Sequence, residues 1–250
     1  MVMQSTLYRL ILLGILAAIL PASTQAGPRE IENLTVLADS TISGPVSKLL
    51  LQFSRIEGAA VSGVFKTADS HLKIIEDGEP ADVLITANQE LIELLKGKGL
   101  IDVASPTVVA RNKLVVLSSK SNPLKLENIS LEDVLKSKHS WVVLDPALYP
   151  EGKTAINFLT SALSGTTWLP ARNYKEATTM LDNSKSLGLL MPPTSGKSLV
   201  MYDTNQDKLV ITYTAVVVAS ENMETARKLM RFLSSPEAGR IIEELGLKKP

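Results

Sequence analysis

Four turns in this sequence place small or hydroxylated residues where a strand-like run hands over to a helical one. They are Asp39-Ser40-Thr41-Ile42-Ser43-Gly44-Pro45, Thr67-Ala68-Asp69-Ser70, Pro150-Glu151-Gly152-Lys153-Thr154 and Asn173-Tyr174-Lys175. At the start of a helix the first backbone N–H groups lack carbonyl partners and the dipole is positive, so such a turn binds an anion without a charged side chain. In open α/β sheets ligands collect at the C-terminal ends of strands, where these turns fall. Ser, Thr, Asp and Asn also begin most helices as plain N-caps, so each turn taken singly is better explained by capping alone.

Bond-breaking chemistry has little to work with. The chain holds two histidines, His71 and His139, and no cysteine. No G-x-S-x-G elbow, H-E-x-x-H pair or other two-histidine metal spacing occurs, which removes the local signatures of serine hydrolases and zinc enzymes. Without cysteine there is no disulfide, thiolate zinc site, iron–sulfur cluster or lipid-bearing N-terminal cysteine. His71 begins a helix beside the second turn and reads as a solvated helix residue, its functional counterpart being a pH-sensitive donor. His139 lies in the polar stretch Lys138-His139-Ser140. The expectation is a binding protein, not an enzyme, with no metal and no cofactor.

The turns are positioned by β-branched runs that alternate with amphipathic helical patterns. Strands are expected over Leu34–Ala38, Val61–Phe65, Asp82–Thr86, Lys113–Ser118, Trp141–Leu144, Ser186–Met191 and Leu209–Ala219. Helices are expected over Pro45–Ile56, Ser70–Asp77, Gln89–Lys96, Leu131–Lys136, Thr154–Leu163, Tyr174–Leu181, Met223–Leu233 and Pro236–Leu245. Such alternation means parallel α/β sheets. No long Gly/Ser linker is present, so a division into domains must fall at short crossings, for which Ala110–Ser118 and Thr212–Ala219 qualify.

The 250 residues carry 26 Lys plus Arg against 26 Asp plus Glu. Neutrality removes the positive field that nucleic acid or an anionic membrane would require. The first 26 residues stand apart: Arg9 is their one charge, Leu10 to Leu20 is apolar, and Thr24-Gln25-Ala26 follows Pro21. This reads as a cleavable signal peptide, and its apolar run is far shorter than the roughly 20 residues that span a bilayer. The mature chain is expected to be exported, soluble and monomeric.

Several segments together resemble the periplasmic molybdate-binding proteins, the solute receptors of molybdate and tungstate ABC importers. Leu34-Thr35-Val36-Leu37-Ala38 opens the mature chain, and Glu76-Asp77-Gly78-Glu79-Pro80-Ala81-Asp82-Val83 is similar to that family's helix, turn and strand. Ala110-Arg111-Asn112-Lys113-Leu114-Val115-Val116 resembles its first crossing strand, and Asp145-Pro146-Ala147-Leu148-Tyr149-Pro150-Glu151-Gly152 its Asp-Pro turn. Ser235-Pro236-Glu237-Ala238-Gly239-Arg240 closes the chain as many solute-binding proteins do.

The resemblance implies a type II-like, two-lobe α/β fold, each lobe a sheet flanked by helices, joined by two crossing strands that act as the hinge. One lobe would comprise residues 27–113 with 214–250, the other 114–213. A small oxyanion would lie between them, and a membrane permease of an ABC importer would receive it. Carried over residue by residue, the family's first ligand serine falls on Thr41 and its second on Ala68. Two backbone N–H contacts fall on Glu151 and Tyr174, and the ligand tyrosine falls on Met191, before Pro192-Pro193. Two of three side-chain donors are therefore replaced, so the alternative is a same-fold receptor for a different small anion or organic acid. Asp39, Asp69 and Glu151 near the turns would repel a dianion, while Lys66, Lys153 and Lys175 would offset them.

Overall fold

The computed structural model describes residues 33–120, 131–136, 139–163, 165–192, 199–204 and 206–249. The signal peptide read over residues 1–26 and the site neighbour Pro193 lie outside the described residues.

The strands are β1 (Asn33–Asp39), β2 (Ala60–Lys66), β3 (Val83–Thr86), β4 (Thr107–Lys113), β5 (Val115–Ser119), β6 (Trp141–Leu144), β7 (Trp168–Ala171), β8 (Leu187–Leu190), β9 (Leu199–Tyr202) and β10 (Val210–Val217). They form two five-stranded sheets, ordered β2-β1-β3-β10-β4 and β7-β6-β8-β5-β9. The helices are α1 (Ser43–Glu57), α2 (Ala68–Glu76), α3 (Gln89–Gly97), α4 (Leu131–Lys136), α5 (Pro150–Ala162), α6 (Tyr174–Asp182), α7 (Met223–Leu233) and α8 (Pro236–Glu244).

The apolar runs are continuous because both faces of each sheet are covered, and successive side chains enter different cores. In β1, Leu34, Val36 and Ala38 enter one cluster and Leu37 another; in β3, Val83 and Ile85 separate from Leu84 in the same way. In β6, Trp141 and Val143 join the first cluster, whereas Val142 and Leu144 pack with Leu181 of α6. Helical spacing supplies the other half of the cores: α1 buries Val46, Leu49, Leu50 and Phe53, and α7 buries Ala226, Leu229, Met230 and Leu233. Gly58, at φ 69°, ends α1 in the left-handed conformation that glycine adopts without a Cβ penalty.

The sheets are mixed, not parallel as the strand–helix alternation suggested. β1 runs parallel to β2 and β3, and β6 parallel to β7 and β8. β10 is antiparallel to β3 and β4, and β5 to β8 and β9, because these strands enter their sheets from the crossings. The expected crossing strand Lys113–Ser118 divides at Leu114: the chain up to Lys113 pairs in the first sheet and from Val115 in the second. The other expected crossing, Thr212–Ala219, lies largely inside β10, which pairs on both sides with first-sheet strands; the chain passes between sheets before Val210. Both passages meet where Leu114 N–H donates to Leu209 O at 2.9 Å, between two fully buried leucines.

After β10 the chain stays with the first sheet, α7 packing on β10 and α8 on α1. Lys248 seals this return by a pair of backbone hydrogen bonds with Arg111, 2.8 and 2.9 Å. Each sheet with its helices forms one lobe, and both lobes lie within one compact unit, Glu32–Pro250. Strands β7 and β9, and the first half of β4, were not expected from sequence; all lie at sheet edges, and β7 carries Pro170, which an edge strand tolerates.

Candidate functional site

The site is built where β1 and β10 of the first lobe face the start of α5 in the second. β1 ends at Asp39, and a single 3-10 turn, Ser40–Ile42, leads into α1. That turn carries Thr41. Across from it, Pro150 opens α5 and Glu151 follows in its first turn, 2% exposed. Glu151 can sit so deep because Gly152 lies flat on the end of β6: a Cβ there would meet Leu144 O at 2.0 Å.

The oxygen Oε1 of Glu151 accepts two hydroxyl hydrogen bonds from the other lobe, from Thr41 at 2.7 Å and from Tyr213 at 2.6 Å. Its second oxygen, Oε2, is buried with no hydrogen-bond partner among the described residues. The Tyr213 hydroxyl has one proton, committed to Glu151, so Met191 Sδ at 3.2 Å is a packing contact. Burial, reinforced by the charge of Glu151, pushes the Tyr213 phenol well above its ordinary value. Tyr174, at the start of α6, donates its hydroxyl to Met191 O at 2.9 Å, and burial raises that phenol to about 12.

A second acid lies behind this pair. Asp39 Oδ2 accepts from Thr86 Oγ1 at 3.0 Å and from Ala87 N–H at 2.8 Å, while Oδ1 has no hydrogen-bond partner among the described residues and lies 3.9 Å from His71 Nε2. Burial, aided by Glu151 and opposed by the Ala87 N–H, raises Asp39 to about 7. His71, read from sequence as solvated, is 0% exposed. It falls on the face of α2 that carries Ala68, Ile74 and Ile75 into the core, and burial holds its imidazole below the ordinary range.

Two cavities open between the lobes beside Glu151. One of about 160 Å³ is lined by Thr41, Tyr174, Met191 and Tyr213, together with Asn112. The other, of about 350 Å³, is lined by Ala68, Asn88, Gln89, Tyr149, Lys153 and Asn157 among others. Four of the five expected positions, Thr41, Glu151, Tyr174 and Met191, are thus gathered at one place, and Ala68 lines the neighbouring cavity. The hydroxyls flanking Ala68, on Thr67 and Ser70, lie 3.2 Å from each other. Lys153, expected to offset acid near the turns, pairs with Glu90 across the second cavity.

Two features were missed from sequence. Glu151 was expected to present its N–H, yet its side chain enters the site; Asp39 and Glu151 were noted only as charges nearby. Tyr213 was read only as part of the expected strand Leu209–Ala219, although its hydroxyl stands beside the position where the resemblance placed a tyrosine, Met191. A tyrosine at an inward position of a buried strand was the available signal. The Asp82 of the Pro-Ala-Asp-Val turn is structural: it accepts from Thr35 N–H at 2.7 Å and from Ser220 Oγ at 2.7 Å. Among the described residues no group of three His, Cys, Asp or Glu side chains comes together to hold a metal ion.

Two α/β lobes with hydroxyls and helix starts converging in the cleft define a solute receptor, a protein that encloses a ligand and performs no chemistry on it. The chain belongs to the bacterial extracellular solute-binding protein family, whose profile matches residues 34–248. It is 24% identical over 231 residues to the molybdate-binding protein ModA of Escherichia coli K12, covering 85% of this chain and 88% of that one. The periplasmic molybdate-binding protein of Azotobacter vinelandii shares the fold with a TM-score of 0.69 and 21% identity, over 87% of this chain and 99% of that one. The sulfate-binding protein SubI of Mycobacterium tuberculosis does so with 0.70 and 17%, over 87% of each chain.

Proposed function

We propose that the protein is the periplasmic receptor of an ABC importer and captures a tetrahedral oxyanion of the molybdate or tungstate class between its lobes. One observation carries this reading: two hydroxyls of the first lobe, Thr41 and Tyr213, converge on a single anionic oxygen presented by the second. Charge-assisted hydroxyl bonds at 2.6–2.7 Å are the contacts an oxyanion oxygen requires. The helix start of α5 adds its dipole at the same place. The similarity to ModA supports molybdate in particular.

In this reading residues 1–26 direct export and are removed after Ala26, the mature chain is a monomer, and a membrane permease receives the closed, loaded form. The lobes hinge where Leu114 and Leu209 meet. The larger cavity beside Ala68, with amide side chains of Asn88, Gln89 and Asn157, favours a second reading, a small organic acid. Thermal-shift screening of the exported protein against molybdate, tungstate, sulfate, phosphate and small carboxylates separates the two. A ligand at about 100 times its Kd adds roughly 2.7 kcal/mol to the folded state. Stabilisation by molybdate or tungstate is expected; a response to carboxylates alone would replace the oxyanion reading with the second.

A further inference from the structure

Resting on the oxyanion reading, we propose that Glu151 is a resident anion: its carboxylate holds the hydroxyls a ligand must use, latches the empty receptor shut, and sets which oxyanions gain admission.

The contacts run across the cleft. Glu151 belongs to α5 and the second lobe, whereas Thr41 and Tyr213 belong to the first, and both donate to the same oxygen. A ligand oxygen and the Glu151 carboxylate therefore compete for two protons at one place. The side chain is not a stray surface group: it is 2% exposed, and the approach of Gly152 to Leu144 O fixes the start of α5 that delivers it. Glu90 and Lys153 also link the lobes, but both side chains are mostly exposed, and an exposed pair contributes little. The buried hydroxyl–carboxylate bonds dominate the latch.

Among the described residues Glu151 Oε2 and Asp39 Oδ1 are buried without a hydrogen-bond partner, so the site already carries two acids of its own. An incoming dianion must displace the carboxylate and tolerate it nearby. That double requirement makes Glu151 a specificity-determining residue. It discriminates against ligands that bind only through the two hydroxyls and admits those that also engage the helix starts of α5 and α6. Lobe closure before ligand arrives follows from the same bonds, since they do for the empty protein what ligand contacts to both lobes do for a loaded one.

The test compares wild type with Glu151→Ala and with Glu151→Gln, a neutral isostere that keeps an acceptor for both hydroxyls. Because the chain has no cysteine, spin labels on Lys96→Cys and Lys175→Cys report the distance between lobes without background. Without ligand, wild type and Glu151→Gln are expected to show one short distance, and Glu151→Ala a longer, broader one. Thr41→Val, which removes a donor from the opposite lobe, is expected to lengthen the distance as well, and serves if Glu151→Ala fails to fold. In calorimetric titration with sodium molybdate, Glu151→Ala should bind about 10- to 150-fold more tightly than wild type, the range of one charge-assisted hydrogen bond regained. Equal lobe distances in wild type, Glu151→Ala and Thr41→Val, or molybdate affinity unchanged or weakened in Glu151→Ala, would overturn the proposal. Absence of heat with molybdate, tungstate and sulfate in both wild type and Glu151→Ala would instead remove the oxyanion reading, and the admission role with it, leaving the latch to be decided by the ligand-free distances.

Discussion

Thr41 and Glu151 lie 110 residues apart in the chain and 2.7 Å apart in the fold, one on each side of the cleft. Thr41 makes no capping bond: Ile42 occupies the N-cap position of α1, and the Thr41 hydroxyl donates its one proton to Glu151. Its role is therefore separable from helix initiation.

Thr41→Val keeps the shape and removes the donor. One hydroxyl bond to a buried carboxylate is lost, so stability should fall by about 1.5–3 kcal/mol, read from the urea midpoint of the unliganded protein. An unaltered midpoint would show that the Thr41–Glu151 bond is absent in solution.

Gly152→Ala places a methyl against Leu144 O and the backbone carbon behind it, at 2.0 and 2.7 Å. The partner atoms are backbone and cannot rotate away, so α5 must lift from β6. The cost is expected at about 3 kcal/mol or more, above the common range of overpacking. Amide hydrogen exchange should show the loss concentrated in the first turn of α5, and solute binding should weaken along with it.

Asp39 supplies a pH dependence. Its folded pKa of about 7 exceeds the ordinary 3.8, so the folded state binds the proton more tightly than the unfolded chain. Its contribution to stability is full below the unfolded pKa, declines as pH rises toward about 7, and is constant above that. His71, held below its ordinary value, contributes the opposite slope near neutral pH, and both proteins compared retain it. The stability of wild type relative to Asp39→Asn should thus fall by a few kcal/mol between pH 4 and pH 7, measured by urea unfolding at each pH. A difference independent of pH would mean that Asp39 titrates normally.

Deleting Met223–Pro250 removes α7 and α8 from the first lobe. Leu229, Met230, Leu233 and Ile242 belong to the same core as Phe53 of α1, whose ring stands 5.8 Å from that of Phe232. Loss of two helices from one core exceeds typical domain stability, so the truncated chain should show no cooperative thermal transition for that lobe. A truncated protein that melts cooperatively at the wild-type temperature would contradict the observed return of the chain.

Much of the fold was legible in the sequence because its signals are local. The strands Leu34–Ala38 and Trp141–Leu144 and the helices of Met223–Leu233 and Pro236–Leu245 declare themselves by periodicity, and their bounds in the structure differ by a residue or two at most. The hydroxyl at Thr41 was legible for the same reason, whereas α5 begins at Pro150, four residues before the start expected at Thr154. Tertiary structure alone decided the rest. Sheet membership depends on which strand lies alongside, so nothing in the run Leu209–Ala219 marked β10 as belonging to the first sheet throughout. Burial depends on neighbours distant in sequence, so His71 read as solvated and proved enclosed. Above all, the meeting of Tyr213, Thr41 and Glu151 joins three elements from two lobes; a carboxylate in a helix's first turn is ordinary in sequence, and only the opposite lobe makes it the anion at the centre of the cleft.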